Sequence, residues 1–154
     1  MNSLVIVGSR SGNTRTIAEA IADGLRAAGP VQITELEEAP TVVPTGTTLL
    51  VIGAPTEGHG LYEPMEKYLE RLSDEGLAGM EAAAFDTRLD WPRWLSGSAA
   101  DRIADALRDR GASVLSTESF LVTMKPELED GQLERARAWG SSLADAVAAA
   151  AAAG

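Results

Sequence analysis

The sequence predicts an α/β fold, in which a doubly wound sheet of five parallel strands has helices on both faces. Short β-rich runs alternate with helical patterns along the 154 residues. The connections are short, which is typical of β-α-β units with right-handed crossovers. A continuous apolar run at 47–54 is expected for a strand that helices cover on both faces. Ligands bind such sheets beyond the carboxyl ends of the strands, so the loops at that edge are the first candidates for a site.

The strands are predicted from runs of apolar and β-branched residues. The first run ends at a glycine, Gly8, and the others are bounded by turn residues. The predicted strands are 3–8, 31–34, 47–54, 81–85 and 114–123.

The first helices are predicted from apolar residues at helical spacing. Ile17, Ile21 and Leu25 are four residues apart, and their helix is expected to stop at Gly29-Pro30. Two prolines between 35 and 46 limit any helix there to a very short one. A further helix is predicted over 63–73.

Two later helices are predicted from their ends and faces. Ser98-Ala99-Ala100-Asp101 has the form of a capping box, and the helix that it opens is expected to end at Gly111. The last helix is expected to place Leu133, Ala136, Leu143 and Val147 on one face. Its alanine-rich tail, about 144–154, is expected to fray.

Composition favours one domain over 1–154, with 45% hydrophobic residues for a core. No run approaches the ~20 apolar residues that span a membrane, and the start lacks a basic leader, so we expect a cytoplasmic protein. The absence of cysteine excludes disulfides, thiolate metal sites and cysteine nucleophiles.

The net charge of −10 argues against a nucleic-acid partner, because phosphate backbones require a basic face. It is compatible with a protein partner that has a basic docking face, and equally with solubility alone. We expect a monomer.

A polar loop follows the first strand and leads into a helix. It comprises Ser9, Arg10, Ser11, Gly12, Asn13 and Thr14. Free N–H groups and the positive end of the dipole make a helix start suitable for an anion. Three hydroxyls and a glycine around this start predict a phosphate site.

Other phosphate motifs do not fit this loop. An ATP or GTP loop needs Gly-Lys-Ser/Thr, and a dinucleotide fingerprint needs a third glycine beside Gly8 and Gly12. The remaining alternative is a polar turn that only caps the helix, for which Ser11 or Asn13 alone would suffice.

The loop resembles the Thr/Ser-x-Thr/Ser-Gly-x-Thr phosphate loop of flavodoxins, and the resemblance extends over almost the whole chain. The fifth strand runs straight toward the last helix without an insertion of about twenty residues, so the chain is similar to a short-chain flavodoxin. That resemblance implies the strand order 2-1-3-4-5 and FMN as cofactor. The other matching segments are 53–56, Phe85 with 97–99, and Trp139-Gly140.

The resemblance also implies two loops that hold the flavin ring. The loop after the third strand would cover one ring face and contact the flavin N5 edge; its residues are Pro55, Thr56, Glu57, Gly58, His59 and Gly60. The loop after the fourth strand would supply a stacking aromatic, with Trp91 favoured over Trp94. The other candidates in that loop are Asp86, Thr87 and Arg88.

Two departures from the family pattern bear on the cofactor. The third-strand loop has only His59 or Tyr62 where flavodoxins often have a tryptophan. Asp86-Thr87-Arg88 replaces the acidic Gly-x-Gly-Asp pattern, and an arginine near the flavin N1 edge would raise the reduction potential.

The function predicted from this resemblance is FMN-dependent electron transfer to a protein redox partner, with no catalytic side chain and no metal ligand. One alternative is an FMN-dependent NAD(P)H:quinone reductase, although the chain shows no extra segment for a substrate. The other alternative is a degenerate flavodoxin-like binding module without cofactor.

Overall fold

The sheet consists of five parallel strands and one short antiparallel strand. The computed structural model describes residues 1–57 and 60–154. The parallel strands have the order β2-β1-β3-β5-β6, and β4 pairs antiparallel with the end of β3. The predicted fold class and the predicted order of the five parallel strands are therefore confirmed. The strands are β1 (Ser3–Val7), β2 (Val31–Glu35), β3 (Leu49–Glu57), β4 (Gly60–Leu61), β5 (Glu81–Leu89) and β6 (Ser113–Val122).

The helices connect consecutive parallel strands or follow the last one. Two short 3₁₀ turns occur at Arg26–Ala28 and Leu36–Glu38, and the length of the second agrees with the limit that two prolines set on any helix between 35 and 46. The four-residue helix α3 has no counterpart in the sequence prediction. The α-helices are α1 (Asn13–Leu25), α2 (Glu63–Arg71), α3 (Arg93–Ser96), α4 (Ala99–Asp109) and α5 (Gln132–Ala153).

Alternate residues of each strand face two separate hydrophobic cores. On one face, Val5 of β1 packs in a cluster with Ile17 of α1 and Leu143 of α5. On the other face, Ile6 packs in a cluster with α2 and α4, which contribute residues such as Leu69 and Ile103. This alternation follows from the period of two in a strand, and it makes the sheet doubly wound.

The α1–α5 crossing depends on two glycines. A Cβ atom at Gly24 would lie 2.1 Å from the Arg137 carbonyl oxygen, and one at Gly140 would lie 2.2 Å from the Ile21 carbonyl oxygen. The two backbones therefore approach more closely than any larger residue permits. Of the face predicted for α5, Ala136 and Leu143 are buried and Val147 is partly buried.

The first turn and the C-terminal segment of α5 both differ from the sequence prediction. Leu133 does not share the buried face, because its side chain is 39% exposed in the first turn of the helix. The segment 144–153 is helical through Ala153, which agrees with the high helix propensity of alanine. No helix among the described residues is long and apolar enough to cross a membrane.

The position of Asp86, Thr87 and Arg88 corrects the sequence prediction. They were expected in a loop after a strand that ended at Phe85, but β5 continues to Leu89. The pairing with β3 extends to Thr87, and the pairing with β6 extends to Leu89. Neighbours on both sides continue the backbone hydrogen bonding beyond the apolar run, so the polar residues remain in the strand.

Candidate functional site at the carboxyl edge of the sheet

The candidate site lies where the strand connections diverge. β1 and β3 are neighbours, but β1 leads into α1 on one face and β3 leads toward α2 on the other. Such a switch point leaves a crevice beyond the carboxyl ends of the two strands, which is the usual ligand position in open α/β sheets. The predicted phosphate loop and the predicted ring-covering loop both start there.

The N-terminus of α1 is open. Its N-cap residue, Gly12, has φ +91°, a left-handed conformation that favours glycine, and no side chain that the structure describes caps the helix. The N–H groups of Asn13, Thr14 and Arg15 have no acceptor within the helix, because the first turn has no preceding carbonyls. A Cβ atom at Gly12 would meet nothing within 4 Å, so the space in front of the loop is open. This arrangement fits a phosphate group.

The first turns of the other helices at this edge differ from that of α1. The first turn of α1 contains no acidic residue, whereas α2, α4 and α5 each have at least one there. Negative charge near a helix N-terminus already balances the helix dipole and repels an anion. Of these four helices, α1 is therefore the one suited to binding a phosphate.

The side chains of the phosphate loop are partly engaged with the protein. The Ser9 hydroxyl oxygen accepts a hydrogen bond from the Gly12 N–H at 3.0 Å, and Ser11 is exposed. The Asn13 side-chain amide donates to the Pro126 carbonyl at 2.7 Å, which ties the loop to the segment after β6. The structure thus leaves the Ser9 and Ser11 hydroxyl protons free of this network, while the Asn13 amide has a structural role.

Thr14 forms a buried hydroxyl pair with Thr87. Their Oγ1 atoms lie 2.8 Å apart, and both residues are almost fully buried. One of the two hydroxyl protons forms this bond, and the other is not used within the pair. This contact shows how β5, through Thr87, fixes the position of the phosphate loop.

Arg10 and Arg15 both form ion pairs with carboxylates of the protein. Arg10 forms an ion pair with Glu57 at 3.1 Å, and its guanidinium carbon lies 5.4 Å above the ring centroid of Tyr62. Burial lowers the pKa of Arg15, but hydrogen bonds to Glu19 and Glu35 outweigh that effect and raise the pKa above its ordinary value. The loop after β1 and the end of β3 are therefore linked across the crevice by an exposed ion pair.

The ring of Tyr62 is not exposed, as a residue that stacks on a flavin ring would be. Tyr62 is buried, and its ring packs so closely on Gly8 that a Cβ atom there would lie 3.1 Å from the tyrosine Cε2. Arg10 covers one side of the ring. The other aromatic candidate of this loop, His59, lies outside the described residues, as does Gly58. Gly60 belongs to β4 and packs against Arg102.

Thr56 and Asp86 form a network that closes the N-terminus of α4. Asp86 is fully buried, and its Oδ2 accepts hydrogen bonds from the Thr56 hydroxyl, the Ser98 hydroxyl and the Ala100 N–H at 2.9–3.1 Å. The Ala99 N–H donates to Thr56 Oγ1 at 3.1 Å, and the Asp101 N–H donates to Ser98 Oγ. The first N–H groups of α4 thus all have acceptors within the protein, and one of these acceptors, Ser98 Oγ, is the one that the predicted capping box implies.

Arg88 holds the turn after β5. Its Nη1 donates to the Trp91 carbonyl at 2.8 Å and to the Leu89 carbonyl at 3.3 Å. Trp91 is 44% exposed and Trp94, in α3, is 84% exposed. Both indoles thus lie beyond the end of β5, where the sequence predicts an aromatic residue that stacks on the flavin ring. Pro55, Thr56 and Glu57 are predicted in the loop after the third strand, but they lie in β3, which continues to Glu57, and Pro55 is paired with Thr87.

Sequence reasoning missed Ser98 and Ala100 as partners of Asp86, and Pro126 as the partner of Asn13. The capping box pointed to Ser98, but nothing in the sequence linked it to a carboxylate twelve residues earlier. No group of three or more potential metal-ligating His, Asp or Glu side chains occurs among the described residues.

The fold and the open helix start define the class of the protein: a doubly wound α/β fold with a crevice at its switch point that is suited to an anion. The chain belongs to the flavodoxin family, whose model ("Flavodoxin") matches residues 5–139. A comparison with curated protein sequences gives no significant match.

Solved flavodoxin structures share the fold. Flavodoxin 1 from Bacillus cereus superposes with a TM-score of 0.80 at 24% identity, over 94% of this chain and 98% of that one. Flavodoxin 2 from the same organism gives 0.76 at 22% identity, over 95% and 99%. A flavodoxin from the domain Archaea gives 0.75 at 24% identity, over 96% and 99%.

Proposed function

We propose that this protein binds FMN and carries electrons between protein partners. The observation that carries the proposal is the open N-terminus of α1, with Gly12 in a left-handed conformation, no side-chain cap and no acidic residue in its first turn. The neighbouring α4 is closed by Asp86, Thr56 and Ser98. Membership of a family whose proteins bind FMN supports the choice of ligand.

The phosphate of FMN would be held by the N–H groups of Asn13, Thr14 and Arg15 and by hydroxyl protons of Ser9 and Ser11. These donors would form a nest at the positive end of the helix dipole, so the site would need no lysine to bind the phosphate. The hydroxyl pair of Thr14 and Thr87 offers one more proton to the same anion.

The isoalloxazine ring would lie between the end of β3 and the turn after β5. Trp91 is the preferred stacking residue, because Arg88 holds its backbone while the indole remains partly exposed. When bound, the flavin supplies the redox chemistry, and the protein supplies binding, stacking and electrostatics. No side chain has to act as a general acid or base.

The charge of the chain supports a partner with a basic docking face. At −10, electrostatic attraction would orient such a partner before contact and raise the association rate at low salt. We propose that the protein transfers electrons as a monomer in the cytoplasm.

The decisive experiment titrates the apoprotein with FMN, riboflavin and FAD. FMN is expected to bind most tightly, because riboflavin lacks the phosphate and FAD carries a second nucleotide. Equal affinities for FMN and riboflavin would show that the α1 site does not hold a phosphate. Flavin-dependent oxidation of NAD(P)H by the purified protein would favour the reductase alternative.

A matched pair of variants tests the position of the phosphate. Ser11→Asp places a negative charge beside the open end of α1 and is expected to weaken FMN binding while riboflavin binding stays the same. Thr45→Asp makes the same change of net charge at an exposed position near the opposite edge of the sheet, where Thr45 adjoins the start of β1. If both variants weaken FMN equally, net charge explains the effect and the α1 site is wrong.

A further inference from the structure

Asp86 is buried, and its two carboxylate oxygens differ in their number of hydrogen-bond donors. Three donors converge on Oδ2, whereas Oδ1 is buried and has no hydrogen-bond partner within 1–57 and 60–154. No ion pair that the structure describes includes Asp86. Burying an ionised group is costly unless a cation or several donors compensate it. Here the compensation comes from neutral hydroxyls and from the positive end of α4.

The hydrogen-bond geometry alone does not require a charge at this position. An amide oxygen in place of Oδ2 accepts from the same hydroxyls and the same N–H group. Asparagine would therefore preserve the links to Thr56 and Ser98, and its NH₂ group would take the place of the unpaired Oδ1. What aspartate adds is a negative charge inside the protein.

The position of Asp86 places that charge next to the proposed cofactor crevice. Its neighbour in β5, Thr87, bonds to Thr14 in the phosphate loop, and its own partner Thr56 lies in the part of β3 that pairs with β4. Arg88, two residues further along β5, carries the opposite charge, and its Nη1 donates to the carbonyls of Leu89, the last residue of β5, and of Trp91 in the following turn. A buried charge is screened less by salt and water than an exposed one.

We propose that Asp86 lowers the reduction potential of the bound flavin by opposing added negative charge at the carboxyl edge of the sheet. The inference rests on the proposed FMN function. Reduction of FMN by two electrons and one proton leaves one additional negative charge on the flavin, with the electrons coming from a reduced protein partner or, in vitro, from dithionite. Asp86 disfavours that product electrostatically and transfers no proton or electron itself.

The test compares Asp86→Asn with the parent protein. The affinities for oxidised and dithionite-reduced FMN are measured, because their ratio determines the shift of the potential relative to free FMN. Asp86→Asn is expected to shift this ratio in favour of reduced FMN by about tenfold, the order expected for one buried charge, which corresponds to about 30 mV for a two-electron couple. An unchanged ratio would overturn the role of Asp86.

Asp109→Asn is the matched control. It removes the same charge from an exposed residue at the C-terminal end of α4, away from the carboxyl edge of the sheet, and the affinity ratio is expected to change less than twofold. A shift equal to that of Asp86→Asn would assign the effect to net charge and contradict the inference.

Ser98→Ala supplies a second test if Asp86→Asn does not fold. It removes one donor from Oδ2 but keeps the carboxylate, so the negative charge is compensated less well. The ratio is expected to shift in favour of oxidised FMN, opposite to Asp86→Asn. A shift toward reduced FMN would refute the electrostatic explanation. Failure of the parent protein to bind FMN would instead refute the proposed function.

Discussion

Replacing each threonine of the buried Thr14–Thr87 pair by valine separates its structural role from its role in binding. The two hydroxyls lie 2.8 Å apart and both residues are buried. Either single variant leaves one hydroxyl without its partner, which costs about 1–3 kcal/mol of unfolding free energy. The double variant removes both polar groups and keeps the shape, so it is expected to cost less than the sum of the single variants.

FMN affinity provides the second measurement on the same variants. If the pair donates its remaining proton to the phosphate, Thr14→Val loses a hydrogen bond to a charged group, worth about 1.5–3 kcal/mol. This corresponds to about 10- to 150-fold weaker FMN binding, with riboflavin binding unchanged. The double variant is expected to show a similar loss of FMN affinity despite its better stability.

Urea unfolding of the apoproteins and flavin titration by fluorescence give the two quantities independently. Additive unfolding costs would show that the hydroxyls do not depend on each other. Unchanged FMN affinity in Thr14→Val, together with a lower unfolding free energy, would leave the pair a purely structural link between α1 and β5.

Three further predictions concern other parts of the molecule. Gly140→Ala is expected to lower the unfolding free energy by more than about 2 kcal/mol, because its Cβ would lie 2.2 Å from the Ile21 carbonyl oxygen; a urea midpoint equal to that of the parent would contradict the helix crossing. Burial raises the pKa of Tyr68 to about 12, so the neutral phenol contributes to stability fully below pH 10, and this contribution is lost as the pH rises toward 12. In urea unfolding at different pH values, Tyr68→Phe should lack this decrease in stability; identical pH profiles for the variant and the parent would disprove the role of Tyr68. Trp91→Ala is expected to weaken FMN binding and restore part of the flavin emission, while Trp94→Ala changes less; if neither variant alters affinity or emission, the proposed aromatic wall is absent.

The sequence by itself determined the fold and the place of the candidate site. Runs of apolar and β-branched residues predicted every parallel strand, and apolar residues at helical spacing predicted every long helix, because burial against the neighbouring layers requires apolar side chains at those positions. The run from Ser9 to Thr14 likewise placed the phosphate loop at the start of α1, since a helix start needs only local residues to offer its N–H groups.

Only the tertiary structure decided which polar groups meet. Asp86 was assigned to a loop because polar residues after an apolar run normally end a strand, yet pairing with β3 and β6 keeps it in β5. Its partners Thr56, Ser98 and Ala100 come from distant positions in the chain. Contacts of this kind depend on the register of neighbouring strands, which has no local signature in the sequence.

The same distinction applies to the charged and aromatic candidates. The sequence identified Arg10 and Tyr62 as residues near the flavin, but the structure pairs Arg10 with Glu57 and buries Tyr62 against Gly8. A long side chain can reach several partners within its length, and the sequence does not determine which of them it contacts. Local periodicity therefore predicted the backbone of this protein, whereas the packing between elements determined the chemistry at its sheet edge.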